Sequence, residues 1–587
     1  MKWIRTACAA GYERMAARGP LLDRINVFPV ADADTGVNLR LSLAPLRNLD
    51  STHAVCLAQL QRCATGNSGN IAAAFFSPLL NLPIQQGSKT AEQHLIRSLA
   101  LGSELAHQAV LTPKQGTMLD VLATLAAFHH QGAPLPSGRD LLDRLAATVA
   151  ATTKLLPELR QAGVVDAGAL GLFFFFEGFF ATWLQEPDLP QPAQKLFPGQ
   201  LDPTFSSGQK DTEQAMCINL ALHRGTSSTT TQTDLNHHLE NLGKSVVARQ
   251  EGNTLHLHLH SHTPEVLRQE VQRFGTITAW RAEAIQIPAQ TKPLTEPGLL
   301  HLLCDAAGSL PRPLAQEQGI TLLDSYVICE GESRPESLWD KDYIYTALRQ
   351  GKKVGTAQAS IFERQQHYAS AIEFHGLSLY LAVGSAYTGN HATAQAWKTH
   401  HAQQDMADNF IVVDSGAASG RLACIALLAA AANRKAQTKE ELLACIARLC
   451  QDCEEYIFID QLRYLAAGGR ISKISGFAGG LLGLKPIISP QPEGVRKIGV
   501  VRSQAAQIDF ALNQMRSLIQ KAAVPLALLQ FSDNEVWLQQ EVLPLLRELL
   551  PGTEILLLPL SLTSGVHMGP GTWALAACPL TKECEEV

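Results

Sequence analysis

Charged residues are scarce in this sequence, and basic residues are not in excess. Asp, Glu, Lys and Arg make up 17% of the 587 residues, and the formal net charge is -6. Proteins that bind nucleic acid through general electrostatics are more often basic, so we expect no nucleic-acid partner. Hydrophobic residues reach 46%, which excludes wholesale disorder because there is ample apolar surface to bury.

Cysteine and secretion signals are also sparse. Twelve cysteines are present without the dense, regular framework of a disulfide-rich secreted protein. The first twenty residues carry Arg5, Glu13, Arg14 and Arg18, where a secretory signal needs an apolar core. We therefore expect a cytoplasmic protein with free thiols.

A long apolar run free of charge is missing as well. The nearest candidate is 167–184, which contains four consecutive phenylalanines, but Glu177 lies near its centre and glycines interrupt it. A charge at the centre of a membrane span is costly. We expect a buried helix there and no integral membrane segment.

The chain length predicts three or four domains, and two segments divide the chain. Residues 186–211 are rich in Pro, Gly, Gln and Ser, which is typical of a linker, and 288–297 form a second break. Leucines recur at helical spacing between 95 and 149, whereas strand-like runs alternate with helical segments after 298. We predict a multidomain fold with an all-α domain at 1–185, a small α+β middle domain at 212–290 and an α/β domain at 298–580.

The segment 26–38 carries the strongest signal for a functional site in the first domain. Asp32 and Asp34 stand two apart in a loop that Gly36 ends, so both carboxylates can converge on one hard cation such as Mg²⁺. An acidic turn with helix-capping aspartates is the alternative. Glycine turns follow at 65–70, 116–118 and 165–169, each before a helical segment whose first N–H groups suit a phosphate.

These four segments, in this order, resemble the DhaL family, which comprises the nucleotide-binding domain of dihydroxyacetone kinases and the N-terminal domain of bacterial fatty acid kinases. The family pattern N-V-F-P-V-P-D-G-D-T-G-T-N is matched at 26–38 except at Ala31, Ala33 and Val37. If the position of Ala33 needs a positive φ, alanine strains the loop. The family's G-N-S-G, G-T-M and G-V-V-D-A-G segments stand at 66–69, 116–118 and 163–168.

This resemblance implies an α-helical barrel that binds ATP and Mg²⁺. Asn26, Asp32 and Asp34 would hold the metal ion, and the two aspartates would be catalytic. The residues that the resemblance places near the nucleotide are Asn38, Asn67, Ser68, Gly69, Thr117, Met118, Asp166 and Gly168.

In the second domain, the segment 255–262 alternates another residue with histidine. On a β-strand His256, His258 and His260 would share one face, and Cys217 on a neighbouring strand could add a third ligand to a zinc ion. An amphipathic strand with a histidine-rich solvent face is the alternative. The segment also resembles the middle domain of fatty acid kinases, which implies structural Zn²⁺ at Cys217, His258 and His260.

In the third domain, Arg470 lies in the segment Y-L-A-A-G-G-R-I-S at 464–472, and His567 lies in V-H-M-G-P-G-T at 566–572. We expect both on loops, where they could jointly bind a carboxylate or phosphate, with ordinary loop residues as the alternative. These segments, with 356–360 and 384–390, resemble the DegV family, which binds fatty acids. The resemblance implies an acyl tunnel whose head-group residues are Thr356, Ser360, Ser385, Thr388, Arg470 and His567.

Together the resemblances predict an enzyme that converts ATP and a fatty acid to ADP and an acyl phosphate. Bacterial fatty acid kinase works as a kinase protein and a separate DegV-type carrier, and fusion would raise the carrier's effective concentration. Arg470 and His567 would steady the carboxylate and its phosphorylated product. The implied partners are the fatty acid and an acyl-phosphate-dependent acyltransferase of phospholipid metabolism, and a homodimer stays open. The alternatives are a nucleotide-regulated lipid-binding protein without kinase activity and a glycerone-type small-molecule kinase.

Overall fold

A computed structural model describes two compact units, Met1–Thr291 and Lys292–Val587. The described residues are 2–47, 49, 53–81, 88–127, 136–203, 215–224, 238–285, 298–402, 405–467 and 484–580. Each unit has its own hydrophobic core.

The first part of the first unit is all helical, as predicted. Its helices span Lys2–Ala16, Gly19–Arg24, Thr35–Leu43, His53–Cys63, Gly66–Asn81, Ser88–Ala109, Met118–Ala127, Gly138–Leu155, Pro157–Ala162, Ala167–Trp183 and Ala193–Leu196.

The helix Ala167–Trp183 is the centre of this bundle. It is apolar on every face and packs against Lys2–Ala16, Met118–Ala127 and Gly138–Leu155, and its residues 167–180 are all buried. Glu177 is buried too, and its Oε2 accepts a 2.6 Å bond from Arg14 Nε, so the charge is paired inside the bundle. In the described part of the chain, no helix is long and apolar enough to cross a membrane.

The structure differs from the predicted linker in its first eighteen residues. Phe197 is fully buried and meets Phe173 edge to face, and Leu201 is 4% exposed. The Gln191 amide also donates to Glu177 Oε1 at 2.9 Å. Apolar side chains within the proline-rich stretch anchor 186–203 to the helical bundle, and 204–211 lie outside the described residues.

The rest of the first unit contains a four-stranded antiparallel sheet and the helix Pro264–Val271. Its strands are β1 (Met216–His223), β2 (Lys244–Glu251), β3 (Thr254–Ser261) and β4 (Thr276–Ala284), in the order β2-β3-β1-β4. The sheet packs on the helical bundle: Arg249 Nη2 donates to Gln61 O at 3.0 Å, and the Leu111 amide donates to Val246 O.

The second unit is α/β, as predicted. Its strands are β5 (His301–Asp305), β6 (Ile320–Leu323), β7 (Tyr326–Cys329), β8 (Glu332–Pro335), β9 (Val354–Ala357), β10 (Ser378–Ala382), β11 (Phe410–Asp414), β12 (Glu454–Phe458), β13 (Lys485–Gln491), β14 (Gly494–Val501), β15 (Leu526–Phe531), β16 (Glu554–Pro559) and β17 (Trp573–Ala577). Its helices are Arg312–Glu317, Lys341–Arg349, Ile361–His375, Asn390–His400, Asp405–Asp408, Ser419–Lys435, Lys439–Asp452, Leu462–Ala467, Gln504–Ile519, Glu535–Glu541, Leu543–Leu549 and Leu562–Met568.

Three sheets organise this unit. The first is parallel in the order β11-β10-β5-β6, the second has six strands in the order β14-β13-β12-β17-β15-β16, and the third is β8-β7-β9. The helix Ser419–Lys435 is buried along most of its length and shares one apolar core with strands of the first two sheets. The first sheet's strand order reverses at β5, and the loops that follow β5, β10 and β11 leave its carboxyl edge, where such folds bind ligands.

Candidate functional site

The acidic loop of the first unit brings three candidate metal ligands together. Asn26 Nδ2 donates to Asp32 Oδ1 at 2.7 Å, and the carboxyls of Asp32 and Asp34 share a hydrogen bond. Between them Ala33 has a φ of +54°, so alanine stands in a left-handed conformation that favours glycine. The backbone of the loop is therefore strained at Ala33, as expected for an alanine with a positive φ.

The two aspartates form a pair of carboxyls in which burial and mutual repulsion disfavour two negative charges. Burial raises the pKa of Asp32, and the neighbouring Asp34 charge adds to that rise. Burial also raises the pKa of Asp34, although its bonds to Asp32 and Asn38 oppose the rise. Two half-buried carboxyls that repel each other in their charged forms are suited to a divalent cation, which would offset both charges.

The first glycine turn lies beside this loop. A Cβ at Gly66 would lie 2.1 Å from Asn38 Nδ2, and a Cβ at Gly69 would lie 2.0 Å from Ser42 Oγ. These glycines therefore let the N-terminus of Gly66–Asn81 approach the helix Thr35–Leu43. Asn67 Oδ1 and Ser68 Oγ are buried and have no hydrogen-bond partner among the described residues, which fits a turn that needs a ligand.

The two later glycine turns form a second group. Asp166 Oδ1 accepts a 2.7 Å bond from the Ala169 amide and caps the helix Ala167–Trp183. A Cβ at Gly168 would lie 3.1 Å from Met118 Sδ, so these turns meet. Burial raises the pKa of Asp166 to about 7. This carboxyl is a helix cap in the structure, and its place near a nucleotide stays a prediction.

Thr117 connects this second group of turns to the acidic loop through Lys114. Thr117 Oγ1 donates to Lys114 O at 2.9 Å, and Lys114 Nζ lies 5.3 Å from the centre of the Phe28 ring. Phe28 belongs to the acidic-loop segment. The turn at 114–117 therefore lies against the loop that carries Asp32 and Asp34.

A second cluster combines Cys217 on β1 with His258 and His260 on β3. One ligand atom from each residue lies within 4.8 Å of the others. His258 Nε2 and His260 Nδ1 have no partner among the described residues, whereas Asn219 Oδ1 lies 3.0 Å from His258 Nδ1 and orients that ring. Burial lowers the pKa of both histidines, so both imidazoles are neutral and can donate a lone pair to a metal.

His256 does not join this cluster. Its Nε2 lies 3.7 Å from Glu251 Oε2 on the neighbouring strand β2. The donor set of one thiol and two imidazoles is typical of zinc, and its three ligands leave a fourth position for another group. These residues fit the ion, and zinc itself stays a prediction.

The histidine cluster lies near the acidic loop, which the sequence did not indicate. Burial raises the pKa of the Cys217 thiol to about 12, and the charges of Asp34 and Asp32 contribute to the rise. The helix Gly66–Asn81, which begins beside the acidic loop, also packs against β2 and β3. The positions of Cys217 and the two aspartates in sequence differ by more than 180, so only the packing of the sheet on the helices brings them together.

In the second unit, the structure brings Thr356 and His567 together. Thr356 Oγ1, at the end of β9, lies 2.8 Å from His567 Nε2. The prediction that His567 lies in a loop was wrong, because it occupies the last turn of the helix Leu562–Met568 and Gly569 follows that helix. The helix ends there because Gly569 takes a positive φ. Arg470 lies outside the described residues.

The other three predicted head-group residues make bonds near their own loops. Ser360 caps the helix Ile361–His375 by accepting from the Glu363 amide at 3.0 Å, and Thr388 Oγ1 accepts from the Asn390 amide. The Ser385 amide donates to Asp414 Oδ1 at 3.1 Å. The structure thus gives Ser360 and Thr388 local structural roles, and contact with a substrate stays a prediction for all three.

Sequence reasoning missed the group that holds these loops. Asp305 is fully buried and accepts bonds from Arg364 Nη1, Tyr380 OH, the Val383 amide and Asn390 Nδ2, at 2.8–3.0 Å. It thereby ties the end of β5 to the loop after β10. The signal was a lone aspartate after an apolar strand, and its partners are scattered over the next 85 positions.

Three known families match successive regions of the chain. Residues 29–181 match the DAK2 domain, and 213–291 match a family described as the middle domain of fatty acid kinase-like proteins. Residues 300–580 match the DegV family.

Two curated relatives each match about half of the chain. An uncharacterized protein of Mycoplasma pneumoniae, the MG369 homolog, is 25% identical over 328 residues, which are 49% of this chain and 58% of that protein. A DegV domain-containing protein of Streptococcus pyogenes is 26% identical over 284 residues, which are 47% of this chain and 96% of that protein. The chain spans little more than half the length of the first two curated relatives.

Among solved structures, a DegV family protein from Thermus thermophilus described as binding fatty acid is 26% identical. The structural match covers 48% of this chain and 99% of the Thermus thermophilus chain, with a TM-score of 0.43. The three family matches lie in order along one polypeptide. The chain therefore carries a DAK2 domain of the DhaL type, a middle domain of the fatty acid kinase type and a DegV-family domain.

Proposed function

We propose that this protein is an ATP-dependent fatty acid kinase that forms an acyl phosphate, with the kinase and the fatty-acid carrier in one chain. The observation that supports it most is the acidic loop, in which the carboxyls of Asp32 and Asp34 share a hydrogen bond beside Asn26. That loop belongs to a DAK2 domain in a chain that also carries a DegV domain. A nucleotide site and a lipid site in one polypeptide suit a reaction that joins the two ligands.

In this proposal Asn26, Asp32 and Asp34 hold Mg²⁺, which when bound offsets negative charge on the phosphate oxygens. The turn at 66–69 binds the phosphates of ATP, because Asn67 Oδ1 and Ser68 Oγ are buried polar atoms that a ligand or its water would satisfy. Zn²⁺ at Cys217, His258 and His260 would join β1 to β3 next to this centre.

The reaction needs no general base. A fatty acid carboxylate is already ionised at neutral pH, so its oxygen attacks the γ-phosphorus of ATP directly. The new bond joins the carboxylate oxygen to the γ-phosphorus. The bond from that phosphorus to the β,γ-bridging oxygen breaks, and ADP leaves with the electron pair of the broken bond. Thr356 and His567 hold the carboxylate in the DegV domain, with Arg470 as a further cation, and an acyltransferase consumes the acyl phosphate.

One observation favours a second candidate. Ala33 stands at a φ of +54° between the two aspartates, so the loop carries strain that glycine would avoid. A weakened metal site would leave a lipid-binding protein that binds nucleotide as a regulator and transfers no phosphate. A glycerone-type kinase has no use for a DegV domain and is not favoured.

ADP release by the full-length protein tests the proposal. We expect ADP production with Mg²⁺ and ATP to require added oleate and to fall at least about a hundredfold in Asp34→Ala, since removing a ligand that stabilises the transferring phosphoryl group costs this much. The control is Asp188→Ala, which removes an exposed carboxylate from the same unit. ADP release that is independent of oleate, or equal in both variants, would contradict a fatty acid kinase.

A further inference from the structure

The helix Thr35–Leu43 begins at the candidate metal ligand Asp34, yet Asp34 does not cap it. Asp34 occupies the N-cap position and makes no side-chain capping bond, although aspartate is among the best N-cap residues. The amides that an N-cap side chain would bond belong to Gly36 and Val37. Both donate instead to Asp23 Oδ1, at 2.6 and 3.2 Å.

Asp23 thus takes the capping role from a different helix, Gly19–Arg24. This leaves the Asp34 carboxyl to bond Asp32 and Asn38 inside the loop. If Asp34 capped its own helix, its carboxylate would be turned toward the N–H groups and away from Asp32.

The same residue also fixes the other end of the loop. The Asn26 amide donates to Asp23 O at 3.3 Å, so the candidate ligand Asn26 is held by the backbone of the residue whose side chain holds the helix start. The two helices are in close contact here, because a Cβ at Gly36 would lie 2.3 Å from Gly19 O. Asp23 therefore joins both ends of the segment that carries the three ligands.

We propose that Asp23 is a positioning residue of the metal centre, which caps the helix Thr35–Leu43 in place of Asp34 and so keeps the Asp34 carboxylate available for a divalent cation. This inference rests on the proposed function for the identity of the centre. Asp23 acts through its Oδ1 as a hydrogen-bond acceptor, and its charge is not needed for this role.

Binding of Mn²⁺ to the full-length protein without fatty acid, followed by electron paramagnetic resonance, tests this role. Asp23→Ala removes the acceptor, and we expect Mn²⁺ affinity to fall about tenfold, the loss that a missing cap produces. Asp23→Asn keeps a side-chain oxygen for the two amides, and we expect affinity within about threefold of the original. Equal losses in both variants would overturn the proposal and indicate that the charge of Asp23 matters.

A matched control separates positioning from general loss of stability. Ser137 caps the helix Gly138–Leu155 by accepting from the Asp140 amide at 3.2 Å. We expect Ser137→Ala to lower the melting temperature by an amount similar to Asp23→Ala and to leave Mn²⁺ affinity unchanged. Unchanged affinity in Asp23→Ala would also overturn the proposal.

Mn²⁺ binding by Asp34→Ala distinguishes failure of the metal centre from failure of the role of Asp23. If Asp34→Ala binds Mn²⁺ as tightly as the original protein, the metal centre itself is wrong, and the positioning role falls with it. If Asp34→Ala loses binding and Asp23→Ala does not, only the role of Asp23 is wrong.

Discussion

Thr356 Oγ1 and His567 Nε2 lie 2.8 Å apart, although 211 positions separate them in the sequence. Thr356 is the second-to-last residue of a strand in the small antiparallel sheet, and His567 is the second-to-last residue of a helix. A carboxylate that replaces this mutual bond would accept from both groups, since a hydroxyl and an imidazole with a proton on Nε2 are both hydrogen-bond donors.

This pair predicts coupled effects on fatty acid binding. Thr356→Val and His567→Gln should each weaken binding of oleate, and the double variant should lose less than the sum, with a coupling of about 0.5–3 kcal/mol. The measurement is titration of the full chain with a fluorescent fatty acid. Thr399→Val, which removes an exposed helical hydroxyl, is the control, and strictly additive losses would contradict a shared head-group site.

The strain at Ala33 predicts a stabilising substitution. Ala33→Gly should raise the free energy of unfolding by up to about 1 kcal/mol, because glycine adopts the positive φ freely but loses more entropy on folding. Ala31→Gly is the matched control. Ala31 is not among the residues with a positive φ, so this substitution should lower the free energy of unfolding. Thermal unfolding measures both, and a destabilised Ala33→Gly would show that the alanine is not strained.

The cluster of one thiol and two imidazoles predicts a bound zinc ion. Metal analysis of the purified protein should give about one zinc per chain, which Cys217→Ser and His258→Ala should lose. Cys63→Ser, at the end of a helix, should keep it. A chelator should lower the melting temperature of the original protein, because a metal that binds only the folded state stabilises it. A protein without zinc that also fails to bind Co²⁺ would contradict this site.

Glu455 predicts a stability loss as pH rises. This fully buried side chain accepts bonds from the Gly420 and Arg421 amides at 3.0 Å, and burial raises its pKa from the usual 4.5 to about 7. Between these pH values the folded state holds more protons than the unfolded state, so stability falls as pH rises through this window. The free energy of unfolding should fall by about 3 kcal/mol across this window.

Urea unfolding at about pH 5 and about pH 8 measures this dependence. Glu455→Gln cannot titrate, so the difference in unfolding free energy between the original protein and this variant should change between the two pH values. Glu440→Gln is the control, because Glu440 is exposed on the neighbouring helix Lys439–Asp452. A difference that is constant with pH would show that Glu455 is not protonated in the folded protein at low pH.

The fold was predictable where the pattern is local. Alternation of Leu and His at 255–260 predicted a strand, and the structure has β3 there. The strand-like runs predicted after 298 correspond to strands such as β11, β12, β15 and β16. The buried helix at 167–183 also followed from sequence, because Glu177 excluded a membrane span. The prediction of a linker was wrong in part, because Phe197 and Leu201 are isolated apolar residues whose burial depends on a surface that is distant in sequence.

The candidate sites were predictable only as sets of residues. Spacing identified Asp32 and Asp34, but the hydrogen bonds of Asp23 to the next helix are set by tertiary packing. In the same way, nothing local in sequence joins Cys217 to the acidic loop or gathers Arg364 and Asn390 around Asp305. Each of these relationships depends on contacts between elements that are far apart in the chain.

In the proposed reaction, a fatty acid bound to this chain becomes an acyl phosphate. Native mass spectrometry of the purified protein, followed by incubation with Mg²⁺, ATP and hydroxylamine, detects this product, because hydroxylamine traps an acyl phosphate as a hydroxamate. We predict that a co-purified fatty acid is converted to its hydroxamate by the original protein and not by Asp34→Ala. Bound fatty acid without hydroxamate or ADP would contradict the kinase and leave a nucleotide-regulated lipid carrier.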